Sequence, residues 1–114
     1  MPRPFLRTTA VSLALGLVTV ACASGGGGDI DVSGDPELQL GREVYNTNCA
    51  RCHGPEGGGG VGNKLSDGAV AQRFPDVEDH IAVIVEGVGS MPAWEGTLTP
   101  EEIRAVARYE REAL

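Results

Sequence analysis

The sequence predicts a small all-α domain, and three observations carry that prediction. Two segments open with helix-start chemistry. One is Asp35-Pro36; the other is Thr99-Pro100-Glu101-Glu102, where an N-cap hydroxyl, a first-turn proline and a glutamate three residues after the cap coincide. Between them Val77, Ile81, Ile84, Val85 and Val88 recur at helical spacing. No segment of useful length shows the apolar–polar alternation of a half-buried strand.

Residues 1–21 read as a signal peptide. Arg3 and Arg7 supply its positive end, and Ala10 to Ala23 is a charge-free run of 14 residues, suited to a signal core and short for a bilayer span. The chain is therefore expected to be exported. Residues 22–34 read as a Gly-rich tether. Thr19-Val20-Ala21-Cys22 resembles a lipobox, in which Cys22 becomes the lipidated first residue, although Thr19 stands where leucine is usual. Ala21-Cys22-Ala23 also reads as an ordinary A-x-A cleavage site. Lipidation is the favoured reading, because ordinary cleavage discards Cys22 without giving it a part. Residues 23–34 then form a leash reaching roughly 20 Å.

The domain proper covers residues 35–114. Its first helix is expected from Asp35-Pro36 to about Asn48. Next come Cys49 and Cys52, spaced C-x-x-C, with His53 directly after, which is the pattern of c-type haem attachment. Two thiols at this spacing add across the two vinyl groups of one porphyrin, and the adjacent imidazole becomes the proximal iron ligand. Other readings of the pair fit less well. A thioredoxin-like pair needs a βαβ surround. A zinc site needs two further ligands, and only His80 remains. A disulfide leaves His53 without a role.

The glycines from Gly57 to Gly62 formally satisfy G-x-G-x-x-G, yet no strand precedes them and no helix follows, so nucleotide binding is rejected. A loop that lets backbone pass close to the haem edge is the better account. A helix is expected from about Val77 to Glu86, burying the Val77/Ile81/Ile84/Val85/Val88 face. His80 lies at the border of that face and reads as a surface or rim residue. Met91 follows in Gly89-Ser90-Met91-Pro92-Ala93-Trp94, a loop able to aim a side chain inward, and it is the only methionine besides Met1. It is the candidate distal ligand, ahead of His80. The final helix starts at Thr99-Pro100.

Composition agrees with a cofactor-dependent core. Only five aromatic residues (Phe5, Tyr45, Phe74, Trp94 and Tyr109) occur in 114. So small a chain buries little surface without a staple, and haem c, one per chain and covalently bound, is the staple expected. Nine basic residues face sixteen acidic ones; without Arg3 and Arg7 seven remain against sixteen, a net charge of −9. That excess makes nucleic acid an unsuitable partner; it suits redox proteins with basic docking patches, in encounters that weaken with salt, and equally well serves solubility alone.

Cys49-Ala50-Arg51-Cys52-His53-Gly54, the preceding Gly41-Arg42-Glu43-Val44-Tyr45, the later Gly89-Ser90-Met91-Pro92 and a terminal helix together resemble a class I cytochrome c of the small bacterial type. The resemblance implies three main helices around one haem, a Met-bearing loop before the last helix, and His53 and Met91 as axial ligands. It further implies that Gly41 permits a close helix crossing and that Tyr45 packs near the terminal helix. One departure stands out: Gly62-Asn63 replaces the usual Gly-Pro, whose carbonyl accepts a hydrogen bond from the proximal histidine. The Asn63 carbonyl can still serve, with less rigidity.

With both axial positions filled, the iron can change oxidation state but has no open position for substrate. The expected function is one-electron transfer, not catalysis, between redox partners outside the cytoplasm, either at the membrane through the lipid anchor or soluble in the periplasm. Two alternatives stay open: a haem-bearing subunit of a dehydrogenase or oxidase, or a haem enzyme or gas sensor if Met91 is labile.

Overall fold

The computed structural model describes residues 30–114. The signal segment, Cys22 and the first part of the tether lie outside them. Five α-helices make up the fold: α1 (Pro36–Val44), α2 (Ala50–His53), α3 (Ala69–Arg73), α4 (Val77–Glu86) and α5 (Pro100–Glu112), with a π-helical segment, Tyr45–Cys49, between α1 and α2. Among the described residues there is no strand, only two isolated bridges, Val88 with Met91 and Glu95 with Leu98. The architecture is the all-α one expected.

Asp35 caps α1 by accepting from the amides of Glu37 and Leu38 at 3.0 and 3.1 Å, with Pro36 in the first turn. The helical course runs on to His53 instead of stopping near Asn48. Asn46-Thr47-Asn48 has the composition of a stop, but no residue there forces a left-handed turn. The widened π turn carries the chain through, with the Asn48 side-chain Nδ2 donating to the Val44 carbonyl at 3.0 Å. Termination falls to Gly54, at φ 86°. The short α3 was not expected from the pattern. It starts after Gly68, which has no side chain to signal a cap, and buries Val70.

The expected α4 bounds hold: Asp76 caps it at 2.9 Å and Gly87 ends it at φ 70°. Its apolar face is narrower than expected. Ile84 is buried and Ile81 and Val85 are half-buried, whereas Val77 and Val88 are exposed. Val77 is the first helical residue and Val88 lies beyond the Gly87 cap, so neither keeps the helical register against the core. α5 opens with a complete capping box. Thr99 Oγ1 accepts from the Glu102 amide at 3.2 Å, and the Glu102 carboxylate accepts from the Thr99 amide at 2.7 Å.

The chain closes on itself where α1 crosses α5. A Cβ on Gly41 would strike the Ala105 carbonyl oxygen and stand 2.7 Å from Tyr109 Cβ, so only glycine allows this approach. One turn on, Tyr45 is fully buried, its ring 5.6 Å from that of Tyr109 and tilted by 47°. Arg108 ties the same crossing at the surface, reaching Asp35 at 2.7 Å, Glu37 at 2.8 Å and Glu112 at 2.9 Å. Leu38, Val44, Ile84, Ile103 and Val106 fill the centre.

Candidate functional site

The C-x-x-C-H residues run from Cys49, the last residue of the π-helical segment, through α2 to His53. Cys49 is buried and Cys52 half-buried. Burial, then the Glu110 carboxylate beside it, pushes the Cys49 thiol up to about 12, so it stays protonated at neutral pH. His53 closes the helix. Its Nδ1 lies 2.7 Å from the Asn63 carbonyl oxygen. A carbonyl can only accept, so the bond requires the tautomer with hydrogen on Nδ1, and Nε2 keeps a free lone pair for a metal. The carbonyl of Asn63 thus takes the part that the resemblance gives to a proline.

The glycine loop builds the cradle for that ring. The Gly59 amide donates to the His53 carbonyl and the Gly62 amide to the Cys52 carbonyl, both at 2.8 Å, which folds the loop back over the end of α2. Gly62 then passes so close to the imidazole that a Cβ would stand 2.7 Å from Cε1 and Nδ1. Gly54 is fixed from the other side by the Tyr45 hydroxyl, which donates to its carbonyl at 2.7 Å.

Met91 comes from the loop between α4 and α5. A tight turn joins Val88 and Met91 through two backbone bonds of 2.9 and 3.2 Å, with Gly89 at φ 58°. The amides of Trp94 and Glu95 reach back to the carbonyls of Ile84 and Val85, at 3.1 and 3.2 Å. Backbone bonds therefore fix Met91 to the end of α4.

All four residues border one cleft of about 570 Å³, within the range of small-molecule sites. Leu65, Val70, Phe74, Ile84 and Trp94 add apolar walls, and Arg51, Lys64 and Arg73 add cationic groups. Two thiols at C-x-x-C spacing, an imidazole with its tautomer set, a thioether and a glycine cradle over the ring fit a covalently attached haem. Among the described residues no group of three or more His, Cys, Asp and Glu side chains is placed to hold a bare metal ion.

His80 contradicts its expected rim position. It is 3% exposed, its Nε2 lies 2.9 Å from Glu110 Oε2, and it stacks on Phe74 with centroids 5.6 Å apart. Glu110, 5% exposed and also bordering the cleft, gave no signal in a charged run of sequence. Its position seven residues after Ile103 on α5, the spacing of one helix face, was the available clue.

Comparison with known proteins follows the same geometry. A family model described as cytochrome c oxidase, cbb3-type, subunit III matches residues 36–109. The chain is 36% identical to chloroplastic cytochrome c6 of Chlamydomonas reinhardtii over 110 residues, covering 93% of this chain and 68% of that protein. It is 36% identical to cytochrome c55X of Paracoccus denitrificans, covering 85% and 90%. The crystal structure of cytochrome c6C from Synechococcus sp. PCC 7002 superposes with a TM-score of 0.55 at 30% identity, covering 64% of this chain and 92% of that one. In the dihydro-heme d1 dehydrogenase NirN the likeness (TM-score 0.59, 25% identity) spans only 16% of that chain.

Proposed function

The chain belongs to the mono-haem class I cytochromes c, and from that premise we propose that Cys49, Cys52, His53 and Met91 hold its haem c for one-electron transfer. The observation that carries the assignment is the His53 ring, fixed by Asn63 and Gly62 at the end of the C-x-x-C turn with Nε2 left free. In this reading Cys49 and Cys52 form the two thioether links, His53 is the proximal ligand and Met91 the distal one. Haem c would supply a one-electron couple there, its potential raised by ligation through methionine and histidine.

The residues of the chain do the rest. The Asn63 carbonyl holds the imidazole in one tautomer and makes it a better donor. The backbone bonds between the Met91 loop and α4 hold Met91 in place; with His53 and Met91 both ligating, the iron would have no open position for substrate, which favours a carrier over an enzyme. Leu65, Val70, Phe74, Ile84 and Trp94 keep water from the cofactor's faces.

The carrier works outside the cytoplasm. Residues 1–21 export it, Cys22 is lipidated, and the Gly-rich segment links that anchor to the domain; the leash expected to run through residue 34 ends earlier, because Val32 is buried in the core and its carbonyl accepts from the Asp35 amide at 3.1 Å. Those partners are redox proteins whose basic patches complement its net negative charge. Among the described residues no helix is long and apolar enough to cross a membrane. A second reading, an electron-transfer subunit of a larger enzyme, is favoured by the likeness to one part of NirN.

The test is the absorption spectrum of protein matured with a c-type attachment system, oxidised and reduced, with a denaturing gel stained for haem. Sharp reduced bands, a weak methionine-to-iron charge-transfer band and haem that stays with the polypeptide are expected. Protein without covalent haem removes the assignment.

A further inference from the structure

Tyr45 is fully buried where α1 crosses α5, yet its hydroxyl reaches the attachment turn. It donates to the Gly54 carbonyl at 2.7 Å, nine residues along the chain and directly after His53. We propose that Tyr45 is a positioning residue for the haem iron, its hydroxyl locking the His53–Gly54 peptide so that the imidazole presents Nε2 in one orientation. The proposal rests on the carrier reading above.

The bond is not a by-product of helical register. In a straight α-helix nine residues span about 14 Å and end half a turn away, out of reach of a tyrosine side chain. The arm is irregular where it needs to be. The Ala50 amide donates to the Tyr45 carbonyl, five residues back, and so opens the π turn Tyr45–Cys49, a feature that bends helices and recurs at functional sites. Phenylalanine would fill the ring's place against Tyr109, at 5.6 Å, equally well, so the hydroxyl calls for its own account. Burial pushes it well above its ordinary range, and it therefore keeps its proton and donates at any working pH.

Gly54 matters to His53 because of its own conformation. At φ 86° and ψ 150° it lies where essentially only glycine goes, and glycine has no intrinsic preference that would keep it there. Four bonds hold the peptide. The Gly54 amide donates to the Ala50 carbonyl at 2.7 Å, the Gly54 carbonyl accepts from the Gly57 amide at 3.1 Å and from Tyr45 at 2.7 Å, and the His53 carbonyl accepts from the Gly59 amide at 2.8 Å. The three backbone bonds lie within residues 50–59 and move with that segment. The Tyr45 bond ties the segment to the crossing of α1 with α5. Rotation of the peptide would swing the ring off the Asn63 carbonyl, which sets its tautomer and its strength as a donor.

The experiment compares the wild-type holoprotein with Tyr45→Phe and with Ile103→Val, which trims a buried core position on α5. Both variants should lower Tm. Tyr45→Phe alone should also raise the reduction potential and move the His53 signals in nitrogen-15 imidazole spectra, because an imidazole loosened from its acceptor donates less to the iron. In the same variant, hydrogen exchange at the Gly57 and Gly59 amides should speed up, as a local opening. A Tyr45→Phe protein that melts earlier but keeps the wild-type potential and His53 signals makes Tyr45 a packing residue and overturns the proposal. Equal shifts in Ile103→Val overturn it too, since they trace the effect to general loosening of the core. Should Tyr45→Phe fail to mature, the wild type decides: its Tyr45 hydroxyl must give a slowly exchanging proton close to residue 54, and a freely exchanging one sinks the idea. Absence of covalent haem or of a reversible one-electron wave in the wild type counts against the carrier reading itself and is seen before any variant is made.

Discussion

Replacing Gly62 by alanine isolates the cradle of His53. The backbone there is not in the left-handed region, so alanine is conformationally permitted and the contact alone is tested. The new Cβ would stand 2.7 Å from Cε1 and Nδ1 and 3.0 Å from Nε2. Non-bonded carbons settle at about 3.5–4.0 Å, so ring and loop must part by roughly 1 Å. The loop is pinned by the Gly62 amide on Cys52 and by the Gly60 amide on the Gly62 carbonyl, at 2.8 and 3.0 Å. If the loop holds, the ring gives way, and the 2.7 Å bond to Asn63 is stretched beyond the reach of about 3.2 Å for N–H···O. Overpacking of this kind costs about 1–3 kcal/mol, of which the lost hydrogen bond accounts for about 0.5–1.5 kcal/mol. At roughly 4–8 °C per kcal/mol for a domain of this size, Tm of the holoprotein should fall by at least several degrees. The reduction potential should rise, because an imidazole without its acceptor donates less to the iron. Gly58→Ala is the control, since nothing lies within 4 Å of its Cβ position. Equal Tm and equal potential for the two variants would refute the cradle.

Other outcomes test the remaining parts of the argument. Met91→Ala should let the reduced protein bind carbon monoxide, abolish the charge-transfer band and lower the potential; an unchanged potential rejects Met91 as the ligand. Gly41→Ala should force α1 from α5 against the Ala105 carbonyl and cost about 1–3 kcal/mol or more, read by thermal melting; a wild-type Tm would mean the crossing is looser than described. Arg108, through its hydrogen bonds, holds the Asp35 carboxyl below its ordinary 3.8. That contribution is present above pH 4 or so and lost as pH falls through the depressed value, so Arg108→Ala should flatten the acid side of a Tm-versus-pH curve. A slope identical to wild type would assign acid sensitivity elsewhere. Electron exchange with a basic partner should slow as salt rises, and rates indifferent to salt would remove the basic docking patch.

The sequence carried most of what depends on local chemistry. The N-caps at Asp35 and Thr99, the helical spacing from Val77 to Val85 and the C-x-x-C-H turn are each written within a few residues, and the helices follow them. Asn63 was readable because its backbone, not its side chain, supplies the acceptor. The continuation of the first helix through Asn46-Thr47-Asn48 was not readable, since polar residues that favour a stop can also ride a widened turn. Glu110 was hidden for a different reason. Between Arg108 and Arg111 it reads as one member of a solvated charge run, and only the packing of α4 and α5 turns it inward, where His80 meets it. Partners 30 residues apart leave no signature in either segment alone.

The crossing of α1 with α5 has a consequence in time. It joins residues near 41 to residues near 105, so the domain cannot close until α5 has been made and docked, and closure of such distant segments is slow compared with turning a single helix. Until then Cys49, 9% exposed in the finished fold, is not yet walled in by α5. The same contact that closes the domain therefore leaves an interval in which an attachment enzyme can reach both thiols.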